Sequence, residues 1–125
     1  MSDRYLKGLK GLNDKALVEE FVQWAGVCGE ATIDGDSQAA IRAAYRLKVL
    51  DQELDARGRN ARSLLLPYLD HQLKGVRYYV AHNLLAIDPT KARRAMQQLA
   101  AGEGPMAYEA RGTLREIDEG VFVPK

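Results

Sequence analysis

The chain has 125 residues and a mass of 13.9 kDa, enough for one domain with its own core and too few for two. Apolar residues make up 46% and charged residues 28%; 18 Lys and Arg against 17 Asp and Glu leave +1, which excludes a surface of uniformly strong charge. The single cysteine, Cys28, excludes an internal disulfide and a cysteine-rich metal site.

No run approaches the roughly 18 apolar residues of a membrane span, the longest aliphatic run being Leu64, Leu65 and Leu66. The start has no long apolar stretch of the secretory kind, so a soluble, cytoplasmic protein is expected. Seventeen Ala and 16 Leu outweigh 8 Val, 4 Ile and 3 Thr, and no useful segment alternates with period two. The expected class is all-α.

Residues 1–12 read as an N-terminal extension, and residues 13–125 as a single helical domain. Asn13 is an N-cap for a first helix with Leu17, Phe21, Trp24 and Cys28 on one stripe and Val18, Val22 and Ala25 beside it. Gly29 and the turn 33–37 are expected to end it. Asp36 or Ser37 caps a second helix, in which Ala40, Ala43, Leu47, Leu50 and Leu54 recur at helical spacing up to Gly58. A third starts near Asn60 and carries the leucine run, and Pro67 should kink or end it.

A fourth helix is expected over 74–87, with Val76, Val80, Leu84 and Ile87 inward. Asp88 followed by Pro89 is the strongest start signal, an N-cap with proline at the first helical position. That fifth helix buries Ala92, Ala95, Met96 and Leu99 and closes at Gly102 and Gly104. Pro105 opens a sixth, with Ala107, Ala110, Leu114 and Ile117 inward, ended by Gly120. A shift of thirty residues superimposes 59–88 on 89–118 without a gap. It matches Leu69 with Leu99, Tyr78 with Tyr108, Leu84 with Leu114, Ile87 with Ile117 and Asp88 with Asp118. A fixed period of helix pairs is the mark of a helical solenoid.

The run from Leu64 through Pro67, Leu69 and Asp70 to His71, followed by Gly75-Val76-Arg77 and by Ala81-His82-Asn83-Leu84, resembles a HEAT repeat. Ala81 stands beside His82 where that pattern has two alanines, so the resemblance implies an outward-pointing imidazole. The unit at 105–118 has Met106-Ala107 in place of the Val-Arg pair. With Leu17–Phe21 near the start and Glu119–Pro124 at the end, the whole chain resembles a small bacterial HEAT-like family of unknown function. The resemblance implies an α-α superhelix of about three helix pairs and no particular activity.

No enzyme signature emerges. Asp70-His71 reads as a turn with a capping aspartate, and His71 and His82 lack the spacing of metal ligands on a helix. Cys28 lies on an apolar stripe, where a cysteine acts as a small hydrophobe. Ser37 and Ser63 have no Gly-x-Ser-x-Gly context. The glycines near Lys7-Gly8 form no phosphate loop, and Asp34-Gly35-Asp36 lacks the ligand spacing of a calcium loop. A non-enzymatic protein without cofactor or metal is expected.

Charge is distributed unevenly. Residues 1–36 carry four basic and seven acidic side chains, net −3; residues 37–94 carry eleven and five, net +6; residues 95–125 carry three and five, net −2. In a solenoid the second helices of successive pairs line the concave face. The expected function is therefore a protein-interaction module that binds a partner protein there, with bacterial immunity or regulation as candidate settings. The candidate contact residues are Arg42, Arg46, Lys74, Arg77, Tyr78, His82, Tyr108, Arg111 and Arg115. The alternative is nucleic-acid binding through the basic middle segment. A third reading, an enzyme using Asp70, His71 or His82, would need those side chains in one cleft. No membrane contact is expected, and both monomer and homodimer are left open.

Overall fold

A computed structural model describes residues 2–124 of the chain. Met1 and Lys125, the outer ends of the two predicted segments, lie outside the described residues. Seven α-helices run in order: α1 Ser2–Lys10, α2 Asp14–Asp34, α3 Ser37–Arg57, α4 Arg59–Ser63, α5 Lys74–Leu84, α6 Pro89–Ala100 and α7 Pro105–Asp118. A 3-10 helix, Leu66–Asp70, sits between α4 and α5, and no strand occurs among the described residues. The fold is all-helical.

The helix starts are made by the residues expected to make them. The Asn13 side chain accepts from the backbone N–H of Ala16 at 2.8 Å, Asp36 from Ala39 at 3.1 Å and Asp88 from Lys91 at 3.2 Å. Gly35 turns the chain between α2 and α3 at φ +76°, where its N–H closes onto the carbonyls of Ala31 and Thr32. The predicted third helix is broken: α4 stops at Ser63 and the chain resumes as the 3-10 turn. Pro67 accounts for the place of the break, because a proline ring collides with the carbonyl four residues back, which is that of Ser63. The fourth helix stops at Leu84, three residues short of the expected end, although Ile87 still packs against the core.

The larger correction concerns Gly29. It does not end the first helix; α2 runs through it for five further residues. There α2 crosses α5, and a Cβ added to Gly29 would lie 2.4 Å from the Gly75 Cα. A Cβ on Gly75 would lie 2.6 Å from the Gly29 Cα and 3.1 Å from the Ala25 carbonyl oxygen. Two backbones are in direct contact, closer than any side chain between them permits.

Around this crossing α2 packs on α3 along one side and on α5 along another; α5 meets the 3-10 turn and α6, and α6 meets α7. Leu17, Phe21, Leu50, Leu54, Val76, Val80, Leu84, Met96 and Met106 form one contiguous core. It is thus α2, rather than α3, whose backbone joins the first helix pair to the second. The N-terminal extension is part of this body. Leu9 is buried, the Lys10 ammonium reaches Glu53 at 3.1 Å, and Arg57 donates to the Leu9 carbonyl at 2.9 Å. Arg57 also pairs with Glu53 and Asp14, both at 3.0 Å, so one guanidinium ties α3 to the end of α1 and the start of α2. Burial of the Glu53 carboxyl would raise its pKa, but the hydrogen bonds from Arg57 and Lys10 outweigh that and hold it below the usual glutamate range.

Three glycines in this region make opposite predictions. Gly29→Ala and Gly75→Ala should each cost about 3 kcal/mol or more, since backbone must move. At Gly26 an added Cβ meets only Leu73 and Val76 side chains, at 3.5 and 3.6 Å, which is ordinary contact. Gly26→Ala should therefore stabilise the chain by about 0.5–1 kcal/mol through helix propensity. Urea denaturation of the three variants checks both signs.

Candidate functional site

The nine residues expected to share one binding face divide among separate neighbourhoods. Arg42 is exposed on α3 beside Ile41 and Tyr45, at a shallow depression of about 190 Å³. Arg46, one turn on, is half-buried with its guanidinium 4.5 Å from the Tyr5 ring centre and 4.7 Å from that of Trp24. Trp24 and Tyr5 both donate to the Glu20 carboxylate, at 3.0 and 3.1 Å. Burial, reinforced by that carboxylate, pushes the Tyr5 phenol up to about 12. This cluster docks α1.

Tyr78 and Tyr108, equivalent in the repeat, are opposite in environment. Tyr108 is 70% exposed on α7, whereas Tyr78 is 7% exposed and its hydroxyl pairs with Thr113 at 2.8 Å. Tyr78 is thus a core residue joining α5 to α7, not a contact on an open face. Arg111 donates to the carbonyls of Ala100 and Gly102, at 2.8 and 3.3 Å, and staples the turn between α6 and α7. Lys74 and Arg115 are exposed, while Arg77 is half-buried with its Nε shielded from solvent and without a hydrogen-bond partner.

His82 does not point into open solvent. Backbone N–H groups of Val121 and Phe122 donate to the Glu116 carbonyl at 2.9 and 3.1 Å, folding the chain back after α7. Phe122 thereby covers the His82 ring edge-on, with centroids 4.9 Å apart. Beside it lies a polar cluster that links α3, α4 and α5. Asn83 donates to the Asp51 carboxylate and accepts from the Arg62 Nε at 3.1 Å, and Arg62 also reaches the Asn83 carbonyl and Asp55. A cavity of about 380 Å³ opens between this cluster and the returning chain. Burial holds the His82 pKa below its ordinary value, with the Asp51 and Glu116 charges opposing it. Partial desolvation raises that of Asp51, against the pull of Arg62 and His82.

The other chemical candidates stay apart. His71 accepts from the Leu73 backbone N–H at 3.0 Å through Nδ1, just before α5 begins. His82 lies at the far end of the same helix, on the order of 15 Å away along the helical rise. Cys28 is buried, its Sγ 3.2 Å from the Tyr79 hydroxyl, whose pKa burial pushes far up. Among the described residues no three His, Cys, Asp or Glu side chains come together as a metal site would need.

Much of the basic middle segment is consumed inside the molecule. Arg57 and Arg62 are held as described, Arg59 donates to the Ile87 carbonyl at 2.8 Å, and Arg93 pairs with Asp118 at 3.0 Å. Lys91 and Arg94 flank a separate depression with Asp70 and Gln98.

A further concavity lies along the α2–α5 crossing. It holds about 630 Å³, with Val22, Gly26, Val27, Leu73 and Val76 lining it and Glu30, Asp34, Asp36 and His71 around it. Val27, 41% exposed, is presented there. Sequence reasoning missed this groove, since its candidate contacts were placed on the second helices of successive pairs. Its one available signal was the pair Gly26 and Gly29, three residues apart on a helix and so on one side of it.

The family model described as "Domain of unknown function (DUF2019)" matches residues 15–118. The chain belongs to this family. The matched span begins with α2 and ends with α7, so it contains the crossing and the groove. The crystal structure of the protein RPA1889 from Rhodopseudomonas palustris CGA009 is similar, with a TM-score of 0.86 and 26% identity. The match covers 94% of this chain and 98% of that one. None of the curated proteins matches the chain. No described helix is long and apolar enough to cross a membrane.

The lowered His82 pKa has a defined sign. An unfolded chain takes up the proton near the ordinary value of 6.5 while the folded chain resists it, so stability falls as pH drops below that value. Asp51 works in the opposite direction, nearer the carboxylate range. Thermal melts between pH 7.5 and 5.5 should show Tm falling on acidification, with a shallower slope in His82→Gln. An unchanged slope in the variant would assign the effect to other groups.

Proposed function

We propose that this chain is a non-enzymatic protein-interaction module built as a short HEAT-like stack of helix pairs. The thirty-residue register supports that reading: α4 with its 3-10 turn and α5 form one unit, and α6 with α7 the next. Each pair buries one face against its neighbour, which is how repeat folds build a continuous core and leave a surface for partners. The observation that carries the proposal is the α2–α5 groove. Its floor is apolar, its volume is about 630 Å³, and Val27 stands 41% exposed at its edge. Concave apolar surface of this kind is where binding energy concentrates.

The engagement of Arg46, Arg57, Arg59, Arg62 and Arg93 within the fold favours this over the nucleic-acid reading. These groups are already matched to rings, carboxylates or carbonyls. Phosphate binding draws on free cations and weakens steeply with salt.

The test is affinity purification followed by reconstitution with the purified partner. Val27→Glu should weaken binding at least tenfold in calorimetry, and Arg42→Ala should change it less than twofold. Equal affinity for wild type and Val27→Glu would overturn the groove as the binding surface. Binding of duplex DNA at low salt that is lost in Arg42→Ala and Lys74→Ala would support the nucleic-acid reading instead.

A further inference from the structure

The groove has a sign as well as a shape. Glu30 and Asp34 lie one turn apart at the C-terminal end of α2, and Asp36 follows directly after the Gly35 turn. None of the three makes an ion pair among the described residues. Asp36 is partly engaged, since one of its oxygens accepts from the Ala39 backbone N–H. The last turn of α2 contains no basic residue, so Glu30 and Asp34 add to the negative pole of that helix, whereas Asp36 caps the N-terminus of α3. Like charges four residues apart on a helix also repel. The free molecule therefore bears unfavourable electrostatics between Glu30 and Asp34, beside an apolar groove.

We propose that the α2–α5 groove takes a basic amphipathic segment of a partner protein, with apolar side chains on Val22, Val27 and Leu73 and Lys or Arg against Glu30, Asp34 and Asp36. The inference rests on the interaction-module reading and names the partner's chemistry. Gly26 matters to the fit because it leaves the floor without a side chain between Leu73 and Val76. A cationic segment relieves the repulsion that the free chain carries, so complex formation gains from both terms. Such a segment is opposite in sign to the acidic partner that the basic middle of the sequence would attract.

The test uses the full-length chain, with a displayed library of random sixteen-residue peptides as the probe. Selected peptides should be rich in Lys and Arg spaced among Leu, Ile or Phe. In ¹H–¹⁵N spectra a synthetic copy should shift the amides of Val22, Gly26, Val27, Glu30 and Leu73. Its affinity should fall at least tenfold in the double variant Glu30→Lys, Asp34→Lys, and clearly between low and high salt. Glu30→Gln should raise the Tm of the free chain while weakening the peptide several-fold, which separates loss of binding from loss of fold.

Peptides without basic residues, or shifts that map away from the groove, would overturn this inference and leave the interaction-module reading standing. Equal binding of oligolysine would also overturn it, because the apolar floor would then contribute nothing. Failure of peptides of every composition to bind would count against both.

Discussion

Two backbones touching at Gly29 and Gly75 set the arrangement of everything else. With a side chain at either position, α2 and α5 would stand further apart, and Val76, Val80 and Phe21 could not close over one core. The contact also decides which helix is central. α2 is flanked on one side by α3 and on another by α5. The groove along its surface is a direct result, since a crossing made of hydrogen atoms leaves the neighbouring positions without filler. Gly26 extends that bare stretch by one more turn.

A second level of order comes from arginine. Helical proteins need polar faces, and in this chain many of the cations turn back onto the molecule. Arg57 joins the end of α1 to α3, Arg62 joins α4 to α5, Arg93 joins α6 to the end of α7, and Arg111 closes the turn between them. The planar guanidinium suits this work because it satisfies two or three acceptors from different elements at once. Part of the charge excess of the middle segment accordingly braces the fold, and the carboxylates of Glu30, Asp34 and Asp36 stand around the groove.

Much of the helical organisation was legible in the residues. Asn13, Asp36 and Asp88 cap as short polar side chains do, and apolar spacing identified the buried faces of α2, α3, α5 and α6. The places that were misjudged share a physical cause. Gly29 reads locally as a helix breaker, and only a neighbouring backbone reveals why it sits in mid-helix. Tyr78 and Tyr108 are identical in register, yet the first is buried with its hydroxyl on Thr113 of α7 and the second stands exposed. His82 reads as outward until the chain returns from Gly120 and lays Phe122 across it. The groove required knowing which of two helices crosses α5, and hydrophobic periodicity carries no information on that choice.

The packing of Arg46 between Tyr5 and Trp24 has an optical consequence. Trp24 is the sole tryptophan of the chain, and its indole lies against a cation and donates to a carboxylate that also holds Tyr5. Undocking of α1 would strip the tyrosine from this stack and expose the indole while α2 remained helical. Emission from the native protein, without any added label, thus reports whether the N-terminal helix is seated, separately from circular dichroism, which sums over all the helices.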